Sequence, residues 1–127
     1  MTDTNDIDTS RSALADVFGP PNKQRQQRRS AELLHHAALV TEYGWDQFRH
    51  QWSTGEVIGT SLVLHDRAEL IRHGETVDSA LARWAFDLWG IKGGQADLDA
   101  GCPATRTWFD SLRTQYMTTR PTGEIQW

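Results

Sequence analysis

Apolar positions along this chain recur at helical spacing, and glycine and proline interrupt them at intervals of about one helix length. Ser10 caps a short helix expected over Arg11–Phe18, with Leu14, Val17 and Phe18 on one side and Gly19-Pro20-Pro21 as its stop. Asn22 opens a longer helix to Tyr43. Val40, Leu33, Ala37, Leu34, Ala38 and Ala31 form one continuous stripe on it, and Gly44 stands where a left-handed C-terminal residue belongs. Trp45, Phe48 and Trp52, at i, i+3 and i+7, predict a short helix showing three aromatic rings, ended by Ser53-Thr54-Gly55. The stretch from Glu56 to Leu64 is ambiguous. Ile58, Thr60, Leu62 and Leu64 alternate as a strand would, yet Leu64, Ala68 and Ile71 continue as a helical stripe. A lone strand has nothing to pair with, so a helix from about Ser61 to His73, stopped by Gly74, is preferred.

The strongest helical pattern covers Thr76–Trp89, capped by Thr76 and closed by Gly90. Val77, Ala80, Leu81, Trp84, Ala85 and Leu88 make its main face. Ala82, Phe86 and Trp89 widen the apolar arc past half the circumference, which predicts burial on two sides: a central helix, or one that also serves an interface. Lys92–Gly101, rich in glycine and aspartate, reads as a loop. Pro103 suits the first turn of a last helix to about Met117, where Trp108, Phe109, Leu112 and Tyr116 share a face. The predicted fold is therefore all-α, a compact bundle of five or six short-to-medium helices over residues 10–118. An acidic segment, 1–9, precedes it and a flexible tail, 119–127, follows.

Composition sharpens this picture chiefly through tryptophan. Of 127 residues, 6 are Trp, 4 Phe and 2 Tyr, in a chain of net charge −4. Such aromatic content excludes a disordered chain, and no apolar run approaches the ~20 residues that span a bilayer. The single Cys102 forms no disulfide within the chain, and the segment Met1–Ser10 carries three Asp and no base, the wrong sign for a targeting peptide. A cytoplasmic protein is expected. Arginine outnumbers lysine 11 to 2, as in the proteins of GC-rich genomes such as those of actinobacteria and their phages.

Three sets of residues carry candidate functions. The adjacent pair His65-Asp66, with His35 or His36 upstream and Asp87, Asp97 or Asp110 downstream, resembles the pattern of HD-domain phosphohydrolases, which are all-helical. That resemblance implies a divalent metal held by His36, His65 and Asp66 and activating water. On the helical wheel, however, His65, Asp66 and Glu69 face away from Leu64, Ala68 and Ile71, which favours a solvated surface with a His65–Glu69 pair. The second set is Lys23, Arg25, Arg28 and Arg29, the one basic concentration, which could meet the phosphates of a nucleic acid; the acidic net charge argues against it. Cys102, just before Pro103, could sit at a helix start that stabilises a thiolate. The third set is aromatic. Trp45, Trp84 and Trp108 fall on inward stripes, whereas Trp52, Phe86, Trp89 and Trp127 lie at edges and ends where a protein partner or a second copy could dock. The reading that emerges is a small cytoplasmic helical interaction protein, without catalysis, cofactor or membrane contact.

Overall fold

A computed structural model describes residues 21–119 of the chain. The helix expected over Arg11–Phe18, the tail after Thr119 and Trp127 lie outside the described residues. Within them the fold is all-α: α1 Pro21–Tyr43, α2 Thr54–Leu64, α3 Arg67–Arg72, α4 Val77–Asp99 and α5 Pro103–Thr119. Among the described residues no helix is long and apolar enough to cross a membrane.

α1 follows its stripe. Leu33, Ala37 and Val40 are buried, and Gly44 ends the helix at positive φ. The aromatic stretch after it is a run of turns in place of the short helix expected, although the amides of Arg49 and Trp52 still reach the carbonyls of Trp45 and Phe48 at 2.8 and 3.0 Å.

Ser53, expected to lie in a stop, is the N-cap of α2. Its hydroxyl accepts from the amide of Glu56 and the Glu56 carboxylate accepts from the amide of Ser53, a reciprocal capping box. Every residue from Val57 to Val63 is buried, because α2 packs against all four other helices. That enclosure explains the strand-like alternation: Thr60 and Ser61 occupy the polar places, and their hydroxyls donate to the carbonyls of Glu56 and Val57, both at 2.8 Å. Gly59 lets the indole of Trp84 lie against the helix backbone; a Cβ there would stand 2.5 Å from a ring carbon.

The helix expected over Ser61–His73 is two helices. His65 takes a left-handed conformation (φ 56°) and Asp66 caps α3 by accepting the amide of Glu69 at 3.0 Å. This break resets the helical phase. Ile71 and Ala68, expected inward, are exposed, whereas Glu69 and Leu70 are buried.

α4 has the predicted cap at Thr76 and the predicted main face, with Trp84, Ala85 and Leu88 buried and Phe86 and Trp89 half-buried. Its wide arc does serve more than one neighbour, since α4 packs against all four other helices. Gly90 (φ 82°, ψ −180°) closes the first segment as expected, but the loop predicted over Lys92–Gly101 is helical as far as Asp99. The glycines there answer to packing. A Cβ on Gly94 would lie 2.7 Å from the Cα of Phe86, and one on Gly93 would lie 2.9 Å from the Cβ of Trp89, so the segment after the bend presses on the segment before it. The core joins Leu33, Ile58, Leu62, Leu70, Leu81, Trp84, Leu88, Phe109 and Leu112 into one cluster.

Candidate functional site

Two surfaces stand out, and the chain break at His65 builds the first. With α2 ended and α3 turned off it, a cleft opens between α2, α3, α4 and α5. Its walls are Leu62, Leu70, Val77, Leu81 and Phe109, and its rim carries His65, Arg67, Arg106 and Asp110. The structure thus brings His65 together with Asp110, one of the three downstream aspartates, and leaves Asp87 and Asp97 elsewhere. His65 is held below its ordinary pKa by burial and then by Arg113, with Asp110 opposing. Asp66 does not share this cleft. One of its oxygens caps α3 and the other accepts the indole N–H of Trp45 at 2.9 Å. Among the described residues no three His, Cys, Asp or Glu side chains are grouped to hold a metal ion.

The expected His65–Glu69 pair does not form. Glu69, whose side chain is 4 % exposed, instead receives the guanidinium of Arg49 at 2.8 and 2.9 Å, with His73 at 3.0 Å beside it. The Arg49 hydrogen bonds hold the Glu69 carboxyl below its usual range against burial. Together with Trp45–Asp66, they strap the 45–52 turns to α3. The strap's other end is Trp52, whose ring stacks on His36 (centroids 3.8 Å apart, planes within 5°) and on Phe48 (4.7 Å). His36 is buried and its Nδ1 has no hydrogen-bond partner. Burial therefore lowers its pKa, and Glu56 and Glu32 only partly offset this. Trp52 and His36, drawn in sequence as a partner contact and a metal ligand, here hold each other.

The second surface lies where α4 meets α5. Trp89, Pro103, Ala104, Thr107, Trp108 and Ser111 line a shallow, open hollow without a charged side chain. Trp89 is fixed there by its indole N–H, which donates to Thr105 at 2.9 Å. The Thr105 hydroxyl in turn donates to Asp97, and the Asp97 carboxylate accepts the amides of Ala104 and Thr105 at 2.8 and 3.0 Å. Burial pushes the Asp97 pKa up, and these hydrogen bonds outweigh it and hold the group ionised below its ordinary value. Asp97 thereby caps α5 from the helix before it. Cys102 sits in the tight link between them, buried at φ 61°, and burial followed by Asp97 raises its thiol pKa, opposite to the thiolate expected at a helix start. Phe86, expected to meet a partner, lies half-buried beneath Gly94.

The basic segment is partly engaged within the fold. Arg29 pairs with Asp87 of α4 at 2.9 Å and with Glu32 at 3.1 Å, and Arg25 and Gln26 donate to the carbonyls of Asp87 and Leu88. Lys23 and Arg28 are exposed. These contacts give the cations a role in fastening α1 to α4. Scanned against protein-family models, curated proteins and solved structures, the chain matches none.

Proposed function

We propose that this protein is a small cytoplasmic interaction protein that docks an apolar protein surface, a second copy of itself, on the α4–α5 face around Trp89 and Trp108. The observation that carries the reading is the hollow between those two tryptophans, lined by Pro103, Ala104, Thr107 and Ser111 and by no charged side chain. Interface centres are depleted of charge and enriched in aromatic residues, and tryptophan is prominent among the side chains that dominate binding energy. In a two-fold dimer each patch meets its own copy, so a charged patch would repel itself and an uncharged one does not. The buried thiol of Cys102 and its raised pKa suit a chain that keeps its cysteine reduced.

Size exclusion coupled to light scattering tests this on the full chain. A dimer or larger species is expected, reverting to monomer in Ser111→Arg, which places a cation at an exposed position on the face. A wild-type monomer at the highest soluble concentration would overturn it.

A further inference from the structure

The cleft between α2, α3, α4 and α5 is distinct from the proposed docking face and has a different chemistry. It consists of two adjoining hollows of about 280 and 450 Å³ that share Arg67, Leu70, Val77 and Arg106. Leu62, Leu70, Leu81 and Phe109 give it buried apolar walls, and Ile71, 71 % exposed, stands at the mouth of the second hollow. Pockets of this size with apolar walls and a few convergent polar groups are the usual form of small-molecule sites.

In the first hollow the charged groups are cationic in balance, Arg67 and Arg106 against Asp110, while the second hollow adds Asp78 and Glu75, whose carboxylate is held by Arg83 at 2.8 Å. Arg67 is exposed and makes no ion pair among the described residues. Arg106 reaches Asp78 at 3.5 Å, a long contact to a side chain that is 90 % exposed, so its guanidinium can turn to another acceptor without stranding a buried charge. Asp110 stands on the same rim and disfavours a second negative charge. We infer that this cleft binds a small amphipathic organic anion carrying one carboxylate. Its head lies between Arg67 and Arg106, where a guanidinium fork matches a carboxylate, and its apolar body lies on Leu70, Val77 and Phe109.

The test uses the full chain, labelled with nitrogen-15 and titrated with sodium octanoate. Saturable shifts centred on the amides of Leu70 and Val77 are expected below about 10 mM. Arg67→Gln is expected to weaken binding about tenfold at an unchanged melting temperature, because Arg67 is exposed and makes no ion pair among the described residues. Arg28→Gln, which removes an exposed cation on α1, leaves it unchanged. Octanol, which lacks the charge, and suberate, which places a second charge on the apolar body, bind at least about tenfold more weakly. No saturation with octanoate, equal binding of octanol or suberate, or an equal loss in Arg28→Gln would each overturn the assignment.

Discussion

The indole of Trp89 donates to the hydroxyl of Thr105 at 2.9 Å, so a wall of the proposed docking face is tied to the cap of α5. Through Thr105 it reaches Asp97, and the three residues form a polar chain across the bend that Gly90 introduces. The face is thereby set rigidly on two helices, the arrangement a binding surface needs to avoid an ordering penalty on association.

Asp97→Ala should remove the acceptor for two helix-start amides and for Thr105. A lost cap together with stranded donors costs about 2–3 kcal/mol. Urea denaturation of the variant measures it. A change near zero would show that α5 is not capped from α4.

Stability is expected to fall as the solution is acidified below about pH 6.5. Burial against Trp52 lowers the His36 pKa from its ordinary 6.5, with His35 adding and Glu56 and Glu32 opposing, so the unfolded chain takes up a proton more readily than the folded one. Protonation therefore pulls toward unfolding once the pH drops through the unfolded value, and stability is complete above it. His36→Phe keeps a ring to stack on Trp52 and should flatten the decline in the urea midpoint between pH 8 and 5.5. His65, also held below its ordinary value, contributes to the slope that remains. An unchanged slope in His36→Phe would count against a buried neutral His36.

Arg49 and Glu69 should show the asymmetry of a buried ion pair. Arg49→Met leaves the Glu69 carboxylate, 4 % exposed, with only His73 and the longer contact from Arg72 at 3.4 Å. It is expected to destabilise more than the double variant Arg49→Met/Glu69→Leu, which removes both charges. Because the Arg49 hydrogen bonds hold the Glu69 pKa below its ordinary 4.5, their stabilisation is present above that pH and lost as the pH falls through the folded value. Acid unfolding monitored by circular dichroism should accordingly begin at higher pH in Arg49→Met than in the parent.

Two glycines should resist replacement for different reasons. At Gly59 a methyl group meets the Trp84 ring, which is fixed by its own N–H on the Gly55 carbonyl at 3.1 Å, and overpacking of this kind costs about 1–3 kcal/mol. Gly90, at φ 82° and ψ −180°, occupies backbone space open essentially to glycine alone, so Gly90→Ala strains the chain by about 1–3 kcal/mol. Thermal melts of both variants are the check, and an unshifted melting temperature in either removes the corresponding claim.

Much of the fold is legible in residue order because its stops are chemical. Gly44, Gly74 and Gly90 each end a segment at positive φ, and the stripes Leu33/Ala37/Val40 and Ala80/Trp84/Leu88 are buried as their spacing requires. The misreadings share a cause: a local signal with two meanings, decided by tertiary packing. Ser53-Thr54-Gly55 looks like a terminator, yet Glu56 three residues after Ser53 makes it a capping box. Glycine at 93 and 94 looks like a loop until Phe86 and Trp89 are seen to leave no room for a Cβ. Asp66-Arg67-Ala68-Glu69 carries the signal of a fresh helix start, and an unbroken helix through it would place Glu69 outward and Ile71 inward, the reverse of what forms. At the candidate sites, Trp89 is legible in the sequence as an end-of-helix aromatic. The joining of His65, Arg67, Arg106 and Asp110 in one cleft is not, because it depends on four helices meeting.

The central proposal is that the uncharged face around Trp89 and Trp108 is buried between two copies of the chain. The most direct measurement is an isotope-filtered nuclear Overhauser experiment on a mixture of labelled and unlabelled chains. Contacts crossing between copies at the Trp89 and Trp108 indoles, lost in Ser111→Arg, are predicted. A dimer whose cross-copy contacts fall elsewhere, or a monomer with none, would contradict the account.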